Sequence, residues 1–179
     1  LSLHDALPIY VPQKAVMFSG SVLSNITFGK NRHGKPSKER VKAAIRVSQA
    51  EEFVSKLDDK EKAHIAQGGT NVSGGQKQRL SIARTIARDP EIYIFDDSFS
   101  ALDYKTDSTL RSELKKYTKD ATVMIVAQRI GTILNADKIV VLDNGKCVGI
   151  GTHKELMKKC KVYKEIALSQ VSKEELENV

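Results

Sequence analysis

Val72-Ser73-Gly74-Gly75-Gln76, continued by Lys77-Gln78-Arg79-Leu80-Ser81-Ile82-Ala83-Arg84, is the stretch on which the reading of this 179-residue chain turns. Ser73 suits a helix N-cap, because its hydroxyl can accept one of the backbone N–H groups that the first helical turn leaves unpaired. Gly74 and Gly75 carry no side chain, so a ligand could approach those N–H groups closely. Leu80, Ala83 and Ala87, with Ile82 and Ile86 beside them, recur at helical spacing and form one apolar stripe. A helix N-terminus with uncovered amides at its positive dipole end attracts anions, phosphate above all. On Ser-Gly-Gly alone, a capped surface helix with two flexible glycines is the better reading, and it is the longer run that shifts the balance.

The totals narrow the field without deciding it. The length suits one domain or most of one, and 40% hydrophobic residues support an ordinary core. No run approaches the roughly 18 apolar residues of a membrane-spanning helix. The net charge of +7 comes from 29 Lys and Arg against 22 Asp and Glu spread along the chain. That surplus is compatible with nucleotide, nucleic acid or an anionic membrane face, and selects none of them. Five Tyr, five Phe and no Trp, not interleaved with the basic residues, argue against a stacking platform for single strands. Cys147 and Cys160 suggest a reducing compartment and no disulfide framework.

Outward from the central stretch, the pattern alternates between strand and helix signals. Leu1 to about Pro8 reads as a leader outside the domain, a cloning or sequencing scar, with a native loop as the alternative; His4 and Asp5 carry no functional weight. Ile9-Tyr10-Val11 is a short strand ended by Pro12, and Gln13 follows. Ser21 caps a short helix through Ile26. Gly29-Lys30-Asn31-Arg32-His33-Gly34-Lys35 imitates half of a phosphate-binding loop. Pro36 then stands where a Ser or Thr hydroxyl must ligate Mg²⁺, so the imitation fails. Pro36-Ser37 opens a helix of about a dozen residues with Val41, Ala44, Ile45 and Ser48 on one face, and Glu51 to Leu57 gives a second. Ala63 to Ala66 is extended, and Gly68-Gly69 turns the chain into the central helix.

Beyond that helix, Asp89-Pro90 is a stop. Ile92-Tyr93-Ile94-Phe95 reads as a strand buried on both faces, hence as part of a parallel sheet, and it ends in Asp96-Asp97. Two carboxylates at the C-terminal end of such a strand can be helix caps, or can sit where α/β folds place their chemistry. Leu102, Thr106, Leu110, Leu114 and Tyr117 mark a four-turn helix, and Ala121 to Ala127 another buried strand. Lys138–Asp143 and Lys146–Ile150 form a hairpin about Asn144-Gly145, a type I′ turn signal. Thr152 caps a helix through Lys159. The rest of the chain to Val179 reads as an amphipathic, charged and solvated tail.

Val-Ser-Gly-Gly-Gln with its basic continuation resembles the signature motif of the ATP-binding cassette (ABC) ATPases. Gln13 and the segment through Gly29 look like the Q-loop region of ABC exporters, Asp96-Asp97 like Walker B, and Ser98-Phe99-Ser100-Ala101-Leu102-Asp103 like the D-loop. The resemblance covers Ile9 to about Lys159. It implies an α/β, P-loop NTPase-like fold with a mostly parallel sheet and a helical subdomain. The parts would be the Q-loop and helical subdomain at about 13–88, Walker B to the C-terminal part at 89–160, and a helical tail at 161–179. It further implies ATP and Mg²⁺ as ligands. Asp96 and Gln13 would serve the metal, with Asp97, Gln128 and Gln13 at the reaction. Ser73, Gly74, Gly75, Gln76 and Asp103 would face a nucleotide across a dimer interface.

Three departures qualify the resemblance. Gln67 stands where exporters often carry Glu. Asp97 replaces the usual Glu, which withdraws the carboxylate by roughly 1.5 Å, one C–C bond, from a proton that a base must reach at about 2.6–3.2 Å. Gln128 replaces the usual His and cannot become a cation. With the signature intact, the pair suggests the degenerate half of a heterodimeric exporter, completing a competent site on a second ABC ATPase domain. The true P-loop and the transmembrane domains, expected on the N-terminal side, are not in this sequence. It reads as the C-terminal two-thirds of an ATPase domain at the cytoplasmic face of a cell membrane, inactive alone, with no nucleic-acid partner. The alternatives are a homodimeric exporter with weak ATPase activity and a non-transport ABC ATPase of DNA repair or ribosomes. Nothing indicates the cargo.

Overall fold

The computed structural model describes residues 8–29 and 34–170, which divide into two compact units, one ending at Val126 and the other starting at Ala127. Lys30 to His33 of the phosphate-loop imitation, residues 1–7 of the expected leader and residues 171–179 of the expected tail lie outside the described residues.

The first unit is built on a three-stranded sheet in the order β1 (Pro8–Val11), β4 (Ile92–Asp96), β5 (Thr122–Val126). Both pairings are parallel, with Tyr10 opposite Ile94 and Ile94 opposite Met124. Pro8 occupies the first residue of its strand, a position that tolerates a missing N–H. A two-stranded antiparallel ladder of β2 (Gly20–Ser21) and β3 (His64–Ile65) brings the segment after Gln13 beside the one before Ser73.

Helices α1 (Val22–Ile26) and α2 (Lys38–Val47) begin at the serines that the sequence nominates: Ser21 accepts from the Ser24 N–H, Ser37 from the Arg40 N–H. α3 (Glu51–Ser55) follows, and α4 (Gly74–Arg88) carries the apolar stripe inward. Leu80, Ile82, Ala83, Ile86 and Ala87 are fully buried, packed in one core with Val11, Met17, Phe95 and Leu110. α5 (Tyr104–Tyr117) starts two residues later than Leu102, which is buried ahead of the helix.

The expectation of strands buried on both faces is corrected. Tyr93 and Phe95 are buried, but Ile92, Ile94 and Asp96 on the opposite face are only half-buried. On β5, Met124 and Val126 are 54% and 55% exposed. The physical reason is that helices cover one face of this sheet among the described residues, whereas a parallel sheet is normally covered on both.

The second unit contains α6 (Ile130–Ile133), the hairpin β6 (Ile139–Asp143) and β7 (Lys146–Gly151), α7 (His153–Lys159) and α8 (Lys161–Gln170). Asn144 and Gly145 both take positive φ, 47° and 74°, as a type I′ turn demands. Thr152 and Glu155 form a reciprocal capping box on α7. The solvated tail is corrected over residues 161–170. Tyr163 and Ala167 are buried with Ile139, Val141, Leu156 and Cys160, and the Tyr163 hydroxyl lies 2.8 Å from His153 Nδ1. The hairpin exposes an apolar face that needs a cover, and α8 supplies it.

Candidate functional site

Three sets of constraints converge at the C-terminal end of β4. First, β1 ends at Val11, and the two carbonyls at its exit are both taken. The buried Ser98 hydroxyl donates to Val11 O at 2.8 Å, and the buried Gln78 amide of α4 donates to Pro12 O at 3.0 Å. The turn carrying Gln13 is thus held by groups from two other elements. Second, Asp97 sits at φ +46°, in the left-handed region that only a few non-glycine residues tolerate. Its own N–H donates to Val126 O at 2.9 Å, and the Ser100 hydroxyl donates to its carbonyl at 2.8 Å. Third, the side chains meet: Gln13 Nε2 donates to Asp97 Oδ2 at 2.9 Å, across 84 residues of sequence.

Asp96 is held as well. Tyr10, one strand over, donates its hydroxyl to Asp96 Oδ2 at 2.5 Å. That hydrogen bond, with smaller contributions from burial and the carboxylate's charge, raises the pKa of the phenol. Each of the two carboxylates therefore receives a donor from the Tyr10–Gln13 segment.

At the Ser73 turn, the hydroxyl accepts from the Gln76 N–H at 3.2 Å, and Gln76 Oε1 accepts from the Ser73 N–H at 2.9 Å. This capping box occupies the oxygen of Gln76 and leaves its amide nitrogen without a partner among the described residues. The N–H groups of Gly74 and Gly75 likewise have no acceptor among the described residues, as first-turn donors of a 15-residue helix. The two glycines differ in their surroundings. A Cβ at Gly74 would meet nothing within 4 Å, whereas one at Gly75 would stand 3.3 Å from the Ala101 carbonyl oxygen. The loop after Asp97 therefore lies directly against the start of α4.

Asp103 caps α5, its Oδ1 accepting from the Thr106 N–H at 3.0 Å. That bond, with a lesser pull from Arg79, holds its carboxyl below the usual range. Gln67 Oε1 accepts from the Ser19 N–H at 3.3 Å, tying the segment after Gln13 to the one before Ser73. Gln128 belongs to the second unit; it is exposed, and its carbonyl accepts from Gln170 Nε2 at 2.8 Å.

The structure thus brings together Gln13, Asp96 and Asp97, and sets Ser73, Gly74, Gly75 and Gln76 at one helix end. Sequence reasoning missed Tyr10, Gln78, Ser98 and the second partner of Gln76. Only the last had a local signal, the Ser-x-x-Gln spacing of a capping box. It also missed Arg84, whose guanidinium donates to Asn25 O at 2.8 Å, Val16 O at 3.1 Å and Asn25 Oδ1 at 3.1 Å. Arg84 lies over the rings of Phe18 and Phe28 as well, and burial, with Arg88 nearby, pulls its pKa down to about 10. A hollow of about 430 Å³, lined by Arg46, Glu52, Arg79 and Lys105 among others, contains none of the expected site residues.

Among the described residues, no three His, Cys, Asp or Glu side chains gather into a metal cage. The Asp96–Asp97 pair still fits Mg²⁺, which is commonly bound through one or two carboxylates, waters and a substrate phosphate rather than by protein alone.

Residues 8–100, more than half the chain, match the ABC transporter family model. This chain belongs to the ABC transporter family. It is 45% identical over 160 residues to an uncharacterised ABC transporter ATP-binding protein of Mycobacterium tuberculosis, covering 89% of this chain and 27% of the relative. It is 39% identical over 163 residues to a Rickettsia conorii protein whose name, export ATP-binding/permease protein, is provisional; the match covers 91% and 28%. Among solved structures, a bacterial Atm1-family ABC exporter with ATP bound superposes with a TM-score of 0.84 at 31% identity, over 90% of this chain and 28% of that one. The chain therefore spans little more than a quarter of the length of these relatives, and its fold is that of an ABC ATPase domain. No described helix is long and apolar enough to cross a membrane.

Proposed function

We propose that the chain is the nucleotide-handling part of an ABC exporter, working as the degenerate half of a heterodimer. The observation that carries this reading is the 2.9 Å hydrogen bond from Gln13 to Asp97, in a chain whose Gly74 and Gly75 open a helix behind a Ser73–Gln76 capping box. In the intact protein, ATP would be hydrolysed by in-line attack of water on the γ-phosphoryl group, where positioning and charge neutralisation do most of the catalysis. Mg²⁺, when bound, would neutralise charge on the phosphates. Asp96 is the residue to hold it through its water shell, with Gln13 alongside.

Asp97 stands in the place of the general base. Its carboxylate is one methylene short, and Gln13 already donates to one of its oxygens. Gln128 can donate a hydrogen bond to a γ-phosphate but cannot carry a proton onto it. Both features slow the chemistry while leaving nucleotide binding possible. The signature role falls to Ser73, which sets the helix end, to the N–H groups of Gly74 and Gly75, and to the amide nitrogen of Gln76. These would meet a γ-phosphate held by a second ABC ATPase domain. Asp103 and the loop before it would run along that interface. Transport would follow from closure of the two domains beneath transmembrane segments at the cytoplasmic face of the membrane. The names of the Rickettsia and Atm1-family relatives support the exporter assignment.

The 179-residue chain alone would bind ATP poorly, because the groups that cradle the β and γ phosphates are not among its motifs. The test is the ATPase rate of a full-length protein containing this chain, alone and mixed with a homologous half-transporter. Silence alone with turnover in the mixture supports the heterodimer. Brisk turnover alone would mean that Asp97 and Gln128 suffice, and the homodimeric alternative would replace it.

A further inference from the structure

The Tyr10 hydroxyl is the one group on the described part of β1 that touches the carboxylate pair, and the strand register explains how. Tyr10 pairs with Ile94 across the parallel ladder, and Asp96 lies two residues further along the same face of β4. Two residues of strand advance roughly 6.6 Å, a span that a phenol covers when it leans along the neighbouring strand. The hydroxyl then donates to Asp96 Oδ2, while Oδ1 has no partner among the described residues. Three residues later, Gln13 does the same for Asp97.

We infer that Tyr10 is a positioning residue for the metal carboxylate, fixing the orientation of Asp96 so that its second oxygen faces the water shell of Mg²⁺. The inference rests on the reading of Asp96 as the metal carboxylate. Its physical basis is general. A carboxylate on a half-buried strand end has a soft χ2 and spreads over several orientations unless a donor selects one. Outer partners of metal-associated groups commonly change metal affinity by about 10–100-fold when removed. Tyr10 is suited to this because its ring is anchored on a strand, and a strand holds geometry better than a loop. Neither Phe nor Leu would supply the donor.

The experiment is Mn²⁺ binding, read by electron paramagnetic resonance, to full-length protein containing this chain and loaded with a non-hydrolysable ATP analogue. The analogue's own affinity is measured separately with metal chelated. Tyr10→Phe keeps the ring and removes only the hydroxyl, and the position is 55% exposed, so the fold is not at risk. Tyr10→Phe is expected to weaken Mn²⁺ about tenfold and leave the analogue's metal-free affinity unchanged. Asp96→Asn is expected to weaken Mn²⁺ more, and Tyr10→Phe on that background to add nothing. Wild-type Mn²⁺ affinity in Tyr10→Phe, with Asp96→Asn impaired, would overturn the role of Tyr10 alone. So would tighter binding. Undiminished Mn²⁺ affinity in Asp96→Asn would overturn the underlying reading of Asp96, and the inference with it.

Discussion

Replacing Arg84 by Met removes a single charged head group while keeping an unbranched apolar stem, and the structure allows its cost to be estimated. Three hydrogen bonds disappear, at 2.8, 3.1 and 3.1 Å, to Asn25 O, Asn25 Oδ1 and Val16 O. Asn25 is 1% exposed, so its carbonyl loses its donor with little water to replace it. A net contribution of about 1 kcal/mol per bond and roughly 0.5–1 kcal/mol for the contact with the Phe18 and Phe28 rings give about 4 kcal/mol. Releasing the cation from a half-dry site returns about 1 kcal/mol, by the desolvation argument. The expected loss is about 3 kcal/mol, or roughly 6–12 °C in Tm for a chain of this size. Urea unfolding of the chain followed by circular dichroism measures it, and hydrogen exchange should show amides of α1 losing protection ahead of α4. Arg84→Lys, which keeps the charge but can satisfy few of the three acceptors, should fall between. A loss under 1 kcal/mol for Arg84→Met would refute the claim that Arg84 pins the Val16–Ile26 segment to α4.

Asp97→Glu combined with Gln128→His should raise the ATPase rate of the full-length protein alone by tenfold or more, measured as phosphate release. Gly74→Ala and Gly75→Ala should part company. The first meets nothing, so unfolding midpoints should not fall; the second pushes on the Ala101 carbonyl at 3.3 Å and should alter exchange in the loop after Asp97. Glu155 has its carboxyl pKa lowered below 4.5, chiefly by the Thr152 backbone N–H. Its capping contribution is therefore present above about pH 4.5 and is lost as the pH falls through the depressed pKa. Exchange protection at the start of α7 should drop over that acidic window in the wild type and be independent of it in Glu155→Gln. Leu80→Ala, at a fully buried position in the main core, should destabilise by about 2–5 kcal/mol in the same urea assay.

What could be read in advance was what local chemistry encodes. Ser21, Ser37, Ser73 and Thr152 announced helix starts because each competes for first-turn N–H groups within three residues of itself. Asn144-Gly145 announced the hairpin through its demand for positive φ. The capping role of Asp103 was not read, because the apolar spacing from Leu102 set the helix start two residues ahead of Tyr104, where α5 begins. The partners of the site were not legible. Tyr10 reaches Asp96 across 86 residues, Ser98 reaches Val11 across 87, and Arg84 reaches Asn25 across 59. No periodicity carries such pairings, because they depend on which strands become neighbours. Burial failed for a related reason. Thr122-Val123-Met124-Ile125-Val126 reads as doubly buried from its residues, yet what covers each face is decided by other elements. The same holds for α8, whose charges suggested solvent and whose Tyr163 and Ala167 found the hairpin.

The account stands most directly on ATP turnover by the assembled pair when this chain alone carries Gly75→Asp, with Gly75→Ala as the control for the contact with Ala101. A negative carboxylate at the amides that should receive the partner's γ-phosphate is predicted to lower turnover at least tenfold. Nucleotide binding to the site built on Asp96 and Asp97 should persist. Turnover equal to that of the wild-type pair would contradict the assignment of Ser73–Gln76 to the partner's site.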